Sequence, residues 1–476
     1  MRKNIRLIIF TAFVMTGLSS CTKWLDIQPT DRVSDETLFS DSKGFRTALN
    51  GIYQQVAVPQ LYGRQLTWGI NSAMANDYYP FNLNDELKSA SNADLANNNI
   101  KGSLADIWRK AYTAIANCNK LLIEIEGKDD SFFQFGRSEK NLIKGEALAL
   151  RALLHFDVVR IFSPATIRNN EQPFVPYQEY YPAHIAEALT TKEIMVKIIR
   201  DFELAQALVE ENDLTKNSFY LSGGLAYTLN GISTQDLVFF TFRMNRLNYV
   251  AINALLARAA MYSGDYVKAK KAAFLVYNFG PDGKRWFSFT PEYLTNSVTR
   301  SQKLPEDLLL AFYDPKLVTN IKDYRGTLTF QLNTNYQTFF PPAERDYRRN
   351  IINTTDNVSY KWLESVSQTP QNLIMPVVRL SEAYYIYSEC LYREGNTTDA
   401  LIFLNKIRSA RGKSSAFLDI TENGYYGELL MEYRREYMSE GQTIFAHKRL
   451  NRRMVLGNQT IEVNDRFTAP VPEDER

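Results

Sequence analysis

Histidine and cysteine are scarce in this chain of 476 residues, with three of each. His155, His184 and His447 lie far apart in sequence. No His-Glu-x-x-His pair, clustered Cys/His set or Gly-x-Ser-x-Gly elbow occurs. "NDELK" and "DGKRWF" lack regular calcium-loop spacing. No metal and no cofactor is therefore expected. The loop acids Asp77, Asp85 and Glu86 would make a glycosidase pair only if folding set two of them at the right separation. With 53 acidic residues such neighbours arise by chance, so the chain reads as a non-enzyme. Strong charge is also missing. A net charge of +2 implies no polyanionic partner. Lys448, Arg449, Arg452 and Arg453 read as a solvated or ion-paired helix end, not as a nucleic-acid patch. Beyond residue 20 no apolar run approaches the ~20 residues of a membrane-spanning helix.

What is present begins at the N-terminus. Arg2, Lys3 and Arg6 precede an apolar run, Leu7 to Leu18, and then Ser19, Ser20 and Cys21. A basic head, a short apolar body and a small-residue exit form a secretory signal. Leu18-Ser19-Ser20-Cys21 also resembles the lipobox of bacterial lipoproteins, in which the cysteine is diacylated and becomes residue one. Residues 1–20 are thus expected to be a signal peptide, with Cys21 the lipid attachment point. More than one acyl chain gives stable anchoring, so the only membrane contact expected is this anchor. Cys118 and Cys390 fall in helix-like sequence and read as buried thiols. Their spacing does not decide whether they are bonded.

The chain is rich in aromatics: 28 Tyr, 28 Phe and 5 Trp, 13% of residues. Helical spacing recurs through "SDSKGFRTALNGIYQQV", residues 105–126, "EKNLIKGEALALRALLHFDVVRIF" and residues 191–210. The third of these is apolar on most of its circumference, as in a helix buried on several sides. Its Glu146, Arg151, Asp157 and Arg160 read as structural ion pairs, although Glu146 could be taken as a catalytic acid. Two segments look like versions of one unit: "YVAINALLARAAMYSGDYVKAKKAAFLVYNF" and "RLSEAYYIYSECLYREGNTTDALIFLNKIRSARG". Each predicts helix, Gly turn (Gly264, Gly395) and helix, with an alanine five residues after the glycine (Ala269, Ala400). This is the pattern of a tetratricopeptide-type hairpin. The expected fold is mainly α: a helical-repeat scaffold with long irregular, aromatic-rich insertions and a little β. Residues 57–104 and the ~100 residues between the two hairpins are the insertions, where a rigid scaffold presents binding surfaces.

Several stretches together resemble the SusD/RagB family of outer-membrane nutrient-binding lipoproteins. They are "CTKWLDIQPTDRVSDETLF", "GFRTALNGIY", "IKGEALALRALLHFDVVRIF", the two hairpin segments and "EYRREYMSEGQTIFAHKRLN". The resemblance implies one SusD-like domain over 21–476. Its helical part with ligand loops would cover 21–235, and its hairpins and central insertion 236–476. It also implies no catalysis, attachment to the cell outer membrane at its exposed face, and a glycan or, in some branches, a peptide ligand. The implied partner is a SusC-like TonB-dependent transporter, faced by the repeats. A different class of reading is a helical-repeat adaptor of an envelope complex that binds no nutrient. Thr443 and Ala446 stand where the family commonly has arginine and aspartate, which places one ion pair in question. Lys23 stands where surface-exported members often carry acids, which bears on the leaflet.

A sugar offers apolar C–H faces to flat rings, and hydroxyls to Asn, Asp or Arg. The first loop region offers Trp68, Asn76, Asp77, Tyr78 and Tyr79. The central insertion offers Arg285, Trp286, Tyr293, Tyr324 and Arg325. Ligand sites of related proteins are built from these two regions, so these residues are the expected platform.

Overall fold

Two kinds of residue set the helical framework: a glycine in left-handed backbone ends one helix, and an Asx side chain starts the next. The computed structural model describes residues 35–475, apart from 169–170, 217, 222–237, 242, 281–286, 297–302, 326–329, 334–335, 363–369 and 457–458. Cys21 and the expected signal peptide, residues 1–20, lie outside the described residues. In chain order the main helices are α1 (Ser42–Val56), α2 (Asp85–Ser91), α3 (Asn98–Glu126), α4 (Gly136–Phe162), α5 (Thr191–Glu211), α6 (Tyr249–Ser263), α7 (Tyr266–Tyr277), α8 (Leu317–Arg325), α9 (Leu380–Arg393), α10 (Thr397–Ala410), α11 (Glu422–Glu436) and α12 (Thr443–Leu450). The fold is mainly helical and of tetratricopeptide type.

Gly264 ends α6 at φ +88° and Gly395 follows α9 at φ +83°, a region that costs any L side chain strain. Asp265 then caps α7 by accepting from the Lys268 amide, and Asn396 caps α10 by accepting from the Asp399 amide. Ala269 and Ala400 are fully buried at the crossings. Ser388 Oγ on α9 donates to the Ala400 carbonyl at 2.7 Å, so the two backbones pass closely. Helices α3, α4, α5, α6, α7, α9 and α10 pack in that succession. A single hydrophobic cluster runs through them, from Phe39 to Ala469.

The charges on α4 are structural. Glu146 takes Arg243 at 2.5 Å and Arg246 at 2.8 Å, and Arg151 pairs with Asp201 at 2.7 Å. Asp157 pairs with Arg160 and accepts from Tyr62 Oη at 2.5 Å. A second buried network lies on and after α11. Glu432 meets Arg348 and Arg435, Glu436 meets Arg348 and Arg411, and Glu440 meets Arg379 and Lys361. Thr443 and Ala446 are buried at the start of α12, outside these pairs. The basic run divides: Lys448 donates to the Arg160 and Ser163 carbonyls and Arg449 pairs with Glu389, both inward, while Arg452 pairs with the exposed Glu422 and Arg453 is exposed. Cys118 and Cys390 are free and buried.

Residues 57–104 are more ordered than their composition suggests. Leu61, Tyr62, Leu66 and Ile70 are buried, and Ile70–Met74 and α2 are short helices. Helix α3 begins at Asn98, earlier than the expected 105, because Asn97 caps the Asn-rich first turn. The central insertion contributes two antiparallel strands, β1 (Leu308–Tyr313) and β2 (Ile374–Arg379).

Candidate functional site

The first loop region and the central insertion meet where the chain is briefly extended. Tyr78 forms an antiparallel bridge with Leu332. The Tyr79 amide donates to the Gln331 carbonyl at 2.7 Å, and the Asn333 amide donates to the Asp77 carbonyl at 2.9 Å. In extended backbone successive side chains point to opposite sides. Tyr78 therefore points inward and is 2% exposed, while Tyr79 points outward and is 40% exposed.

The inward side is an aromatic base. Trp68 packs edge-on against Tyr324 and Phe330, with ring centroids 5.6 and 5.5 Å apart, and leans on Trp362 at 6.1 Å. Its Nε1 donates to the Gly63 carbonyl, and Tyr78 Oη donates to the Trp68 carbonyl at 2.8 Å. Trp68, Tyr78, Arg325 and Trp362 enclose a space of only about 10 Å³, far too small for a sugar. The α11 end holds this base in place. Arg434 pairs with Asp77 at 3.3 Å, and the Ser439 amide donates to the other Asp77 oxygen at 3.0 Å. Burial pushes the Asp77 carboxyl above its ordinary value, and Arg434 and Ser439 only partly offset it. Gly441, at φ +73°, passes so close to the loop that a Cβ would lie 2.5 Å from the Leu66 carbonyl oxygen.

The outward side is a ledge. Tyr79 and Phe81 present tilted rings, 5.3 Å apart at 42°, and Phe81 is 80% exposed. Pro80 starts the 3-10 turn Pro80–Asn82 that sets them side by side. Polar groups border this segment. Asn82 Nδ2 donates to Gln331 Oε1 at 3.0 Å, and Asn84 Nδ2 donates to Tyr324 Oη at 3.1 Å. Tyr324 Oη donates to Glu86 Oε2 at 2.7 Å, and Gln65 Nε2 donates to the other Glu86 oxygen. Arg64 lies 3.8 Å over the Tyr324 ring. Burial, then the Glu86 charge, pushes the Tyr324 hydroxyl pKa up. Tilted apolar faces bordered by donors and acceptors suit a ligand with both C–H faces and hydroxyls.

The expected residues divide accordingly. Trp68, Asn76, Asp77 and Tyr78 are buried, so the expectation that they face a ligand fails on geometry. Asn76 is tied to Ser91 by reciprocal bonds. Tyr79 is on the ledge, Tyr324 joins ledge to base, and Arg325 is half-buried at the end of α8. Arg285 and Trp286 lie outside the described residues. Tyr293 is 68% exposed on the turn Glu292–Leu294, and among the described residues no ring contact joins it to Tyr79 or Phe81. Of the loop acids, Asp77 is bound by Arg434, Glu86 accepts from Tyr324 and Gln65, and Asp85 is exposed. Sequence reasoning missed Phe81, Asn82, Arg64 and Gln331. The run Tyr78-Tyr79-Pro80-Phe81-Asn82 held the signal for the first two.

Residues 23–222 match a SusD-like family model described as "Starch-binding associating with outer membrane", and residues 276–468 match the SusD family. The chain belongs to the SusD/RagB family. Two SusD-like proteins of Formosa agariphila are similar to it. One is 23% identical over 98% of this chain and 96% of its own length, the other 21% over 85% and 81%. Among solved structures, a SusD superfamily protein from Bacteroides fragilis aligns with TM-score 0.71 at 18% identity, over 92% of this chain and 98% of its own. One from Bacteroides thetaiotaomicron aligns with TM-score 0.70 at 20% identity, over 91% and 97%. A SusD-like carbohydrate binding protein from Bacteroides vulgatus aligns with TM-score 0.67 at 17% identity, over 91% and 96%. At these identities the structural likeness shows the SusD fold. Among the described residues no helix is long and apolar enough to cross a membrane.

Proposed function

We propose that this SusD/RagB member is a non-catalytic lipoprotein of the outer membrane, acylated at Cys21. It captures an oligosaccharide on the Tyr79–Phe81 ledge and passes it to a SusC-like TonB-dependent transporter. The observation that carries the reading is the exposed, tilted ring pair bordered by Asn82, Gln331, Asn84 and the Tyr324 hydroxyl. The description of the family model matched by residues 23–222, starch binding and association with the outer membrane, supports the same ligand class and location. Rings this exposed gain most from being covered, which favours the ledge over the buried rings beneath it.

Support for the transporter partner comes from the scaffold. Exposed apolar side chains recur on alternate helices of the stack: Val196 and Leu204 on α5, Val267 and Phe274 on α7, and Ile402 on α10. Such scattered sites along a repeat stack suit a large partner surface. The deciding experiment is a soluble glycan panel run beside a peptide panel, on the wild type and on Tyr79→Ala/Phe81→Ala. Glycan binding lost in the double variant upholds the reading. Peptide binding alone, or glycan binding unchanged in the double variant, overturns it. Val267→Asp/Phe274→Asp is expected to lose co-isolation with a TonB-dependent barrel while keeping glycan affinity.

A further inference from the structure

Away from the ledge, helices of both halves of the chain meet around a small cavity of about 30 Å³. Residues one turn apart supply much of its wall: Phe156 and Arg160 from α4, Arg258 and Tyr262 from α6, Phe445 and Arg449 from α12. Side chains at i and i+4 share a helix face, so each of these helices turns a cation and a ring to the same space. Glu382 of α9 is the one carboxylate on a lining that holds three guanidiniums.

Three atoms of these lining residues, Arg160 Nε, Arg258 Nη1 and Tyr262 Oη, are buried with no hydrogen-bond partner among the described residues. Arg160, Arg258 and Tyr262 are 2%, 6% and 4% exposed. Buried polar atoms in native proteins are nearly always paired. The rest of each guanidinium is engaged, so neither can turn to another partner without breaking bonds it has. Arg160 gives Nη2 to Asp157 and Nη1 to Gln442, and lies over the Phe156 and Phe445 rings at 4.6 and 4.1 Å. Arg258 gives Nε and Nη2 to Glu382 at 2.7 and 2.6 Å.

Charge points the same way. Arg449 pairs with Glu389, and Arg393 shares that carboxylate. The four guanidiniums of Arg160, Arg258, Arg393 and Arg449 thus meet the three carboxylates of Asp157, Glu382 and Glu389. A water would have to donate two protons, and Tyr262 Oη is the one unpaired atom of this set that can take one. A spherical anion accepts from all three donors and offsets the surplus charge. One water needs ~10–15 Å³ of such space, so this cavity admits a single monatomic ion and no bulky one. We propose that the cavity binds one halide-type anion, chloride in kind, held by Arg160 Nε, Arg258 Nη1 and Tyr262 Oη. The ion then ties α4 to α6 at the point where α12 packs on both.

The test uses the full chain and two readouts. Crystals soaked in bromide are expected to show an anomalous peak in this cavity. Urea unfolding is then followed as chloride replaces gluconate at constant ionic strength, gluconate being too large to enter. Above the dissociation constant, the folding equilibrium constant is expected to rise ~10-fold per tenfold chloride. Ala446→Asp sets a carboxylate on the cavity wall and is expected to abolish the chloride-dependent rise. Tyr262→Phe removes one donor and is expected to shift the rise to higher chloride, which keeps the test open if the first variant does not fold. No bromide in the cavity overturns the proposal. So does a bromide peak beside a midpoint indifferent to chloride, which would mark an adventitious ion only. A chloride response equal in the wild type and in every folded variant overturns it as well, because the effect would then lie elsewhere on the protein.

Discussion

Tyr78 and Tyr79 are neighbours in sequence and belong to opposite regions. Tyr78 is part of a base closed by Trp68, Phe330 and Trp362, with its hydroxyl bound to the Trp68 carbonyl. Tyr79 stands on a ledge with Phe81, in contact with solvent. The same ring chemistry stabilises the fold in one place and awaits a ligand in the other. What separates them is the parity of one short bridge to Leu332, which turns alternate side chains in and out. Composition alone therefore overstates a binding site, because its most aromatic residues are its foundation.

The sharpest way to break this distinction is to attack the base. Arg434→Ala leaves the Asp77 carboxylate buried without its countercharge. Removing one partner of such a pair costs about 3–5 kcal/mol, which should show as a large fall in the urea midpoint. A loss under ~1 kcal/mol would mean that the base does not depend on the α11 end. Acid should act on the base next. Burial opposes ionisation of Glu436, but Arg411 and Arg348 outweigh it and hold the carboxyl down at about 2. An acid held low stabilises the fold above its unfolded value, so this contribution is lost as pH falls from about 4.5 to about 2. Burial also pulls His155 and His447 down to about 3. The unfolded chain takes up those protons from about 6.5 downward, so both imidazoles also weaken the fold in acid. Urea midpoints between pH 6.5 and 3 should decline throughout, and a flat profile above pH 4.5 would contradict the buried neutral imidazoles.

The scaffold was legible because its signals are local. Gly264 with Ala269 and Gly395 with Ala400 each fix a turn and a crossing within one hairpin, and α4 showed its burial in its apolar circumference. The site was legible only as two regions. Trp68 and Tyr79 look alike in sequence, and what sorts them is a bridge to residues some 250 positions away, where Gln331 and Leu332 carry no pattern of their own. Asp77 had the look of a loop acid until Arg434, distant in sequence and near in space, claimed it.

A smaller effect should appear on the ledge itself. Tyr79→Ala and Phe81→Ala each remove one exposed ring, worth about 1 kcal/mol of stacking, or ~5-fold in affinity for a bound oligosaccharide. Titration calorimetry should show that loss while the urea midpoint moves by less than ~0.5 kcal/mol. A larger change in stability than in affinity would place these rings with the base after all.

Tyr324 makes the finest test, because it belongs to both regions. Its ring packs on Trp68 and lies under Arg64, while its hydroxyl bonds Glu86 and Asn84 at the rim. Tyr324→Phe keeps the ring and deletes only the hydroxyl, so it separates packing from polar edge within one residue. Glu86 keeps its bond from Gln65, so no charge is stranded. The expected result is a two- to three-fold loss of affinity, about 0.5 kcal/mol, with a stability change no larger than ~1 kcal/mol. If affinity holds and stability alone falls, the hydroxyl serves the base. The ledge would then end at Phe81 and Asn82, with its polar edge supplied by Gln331.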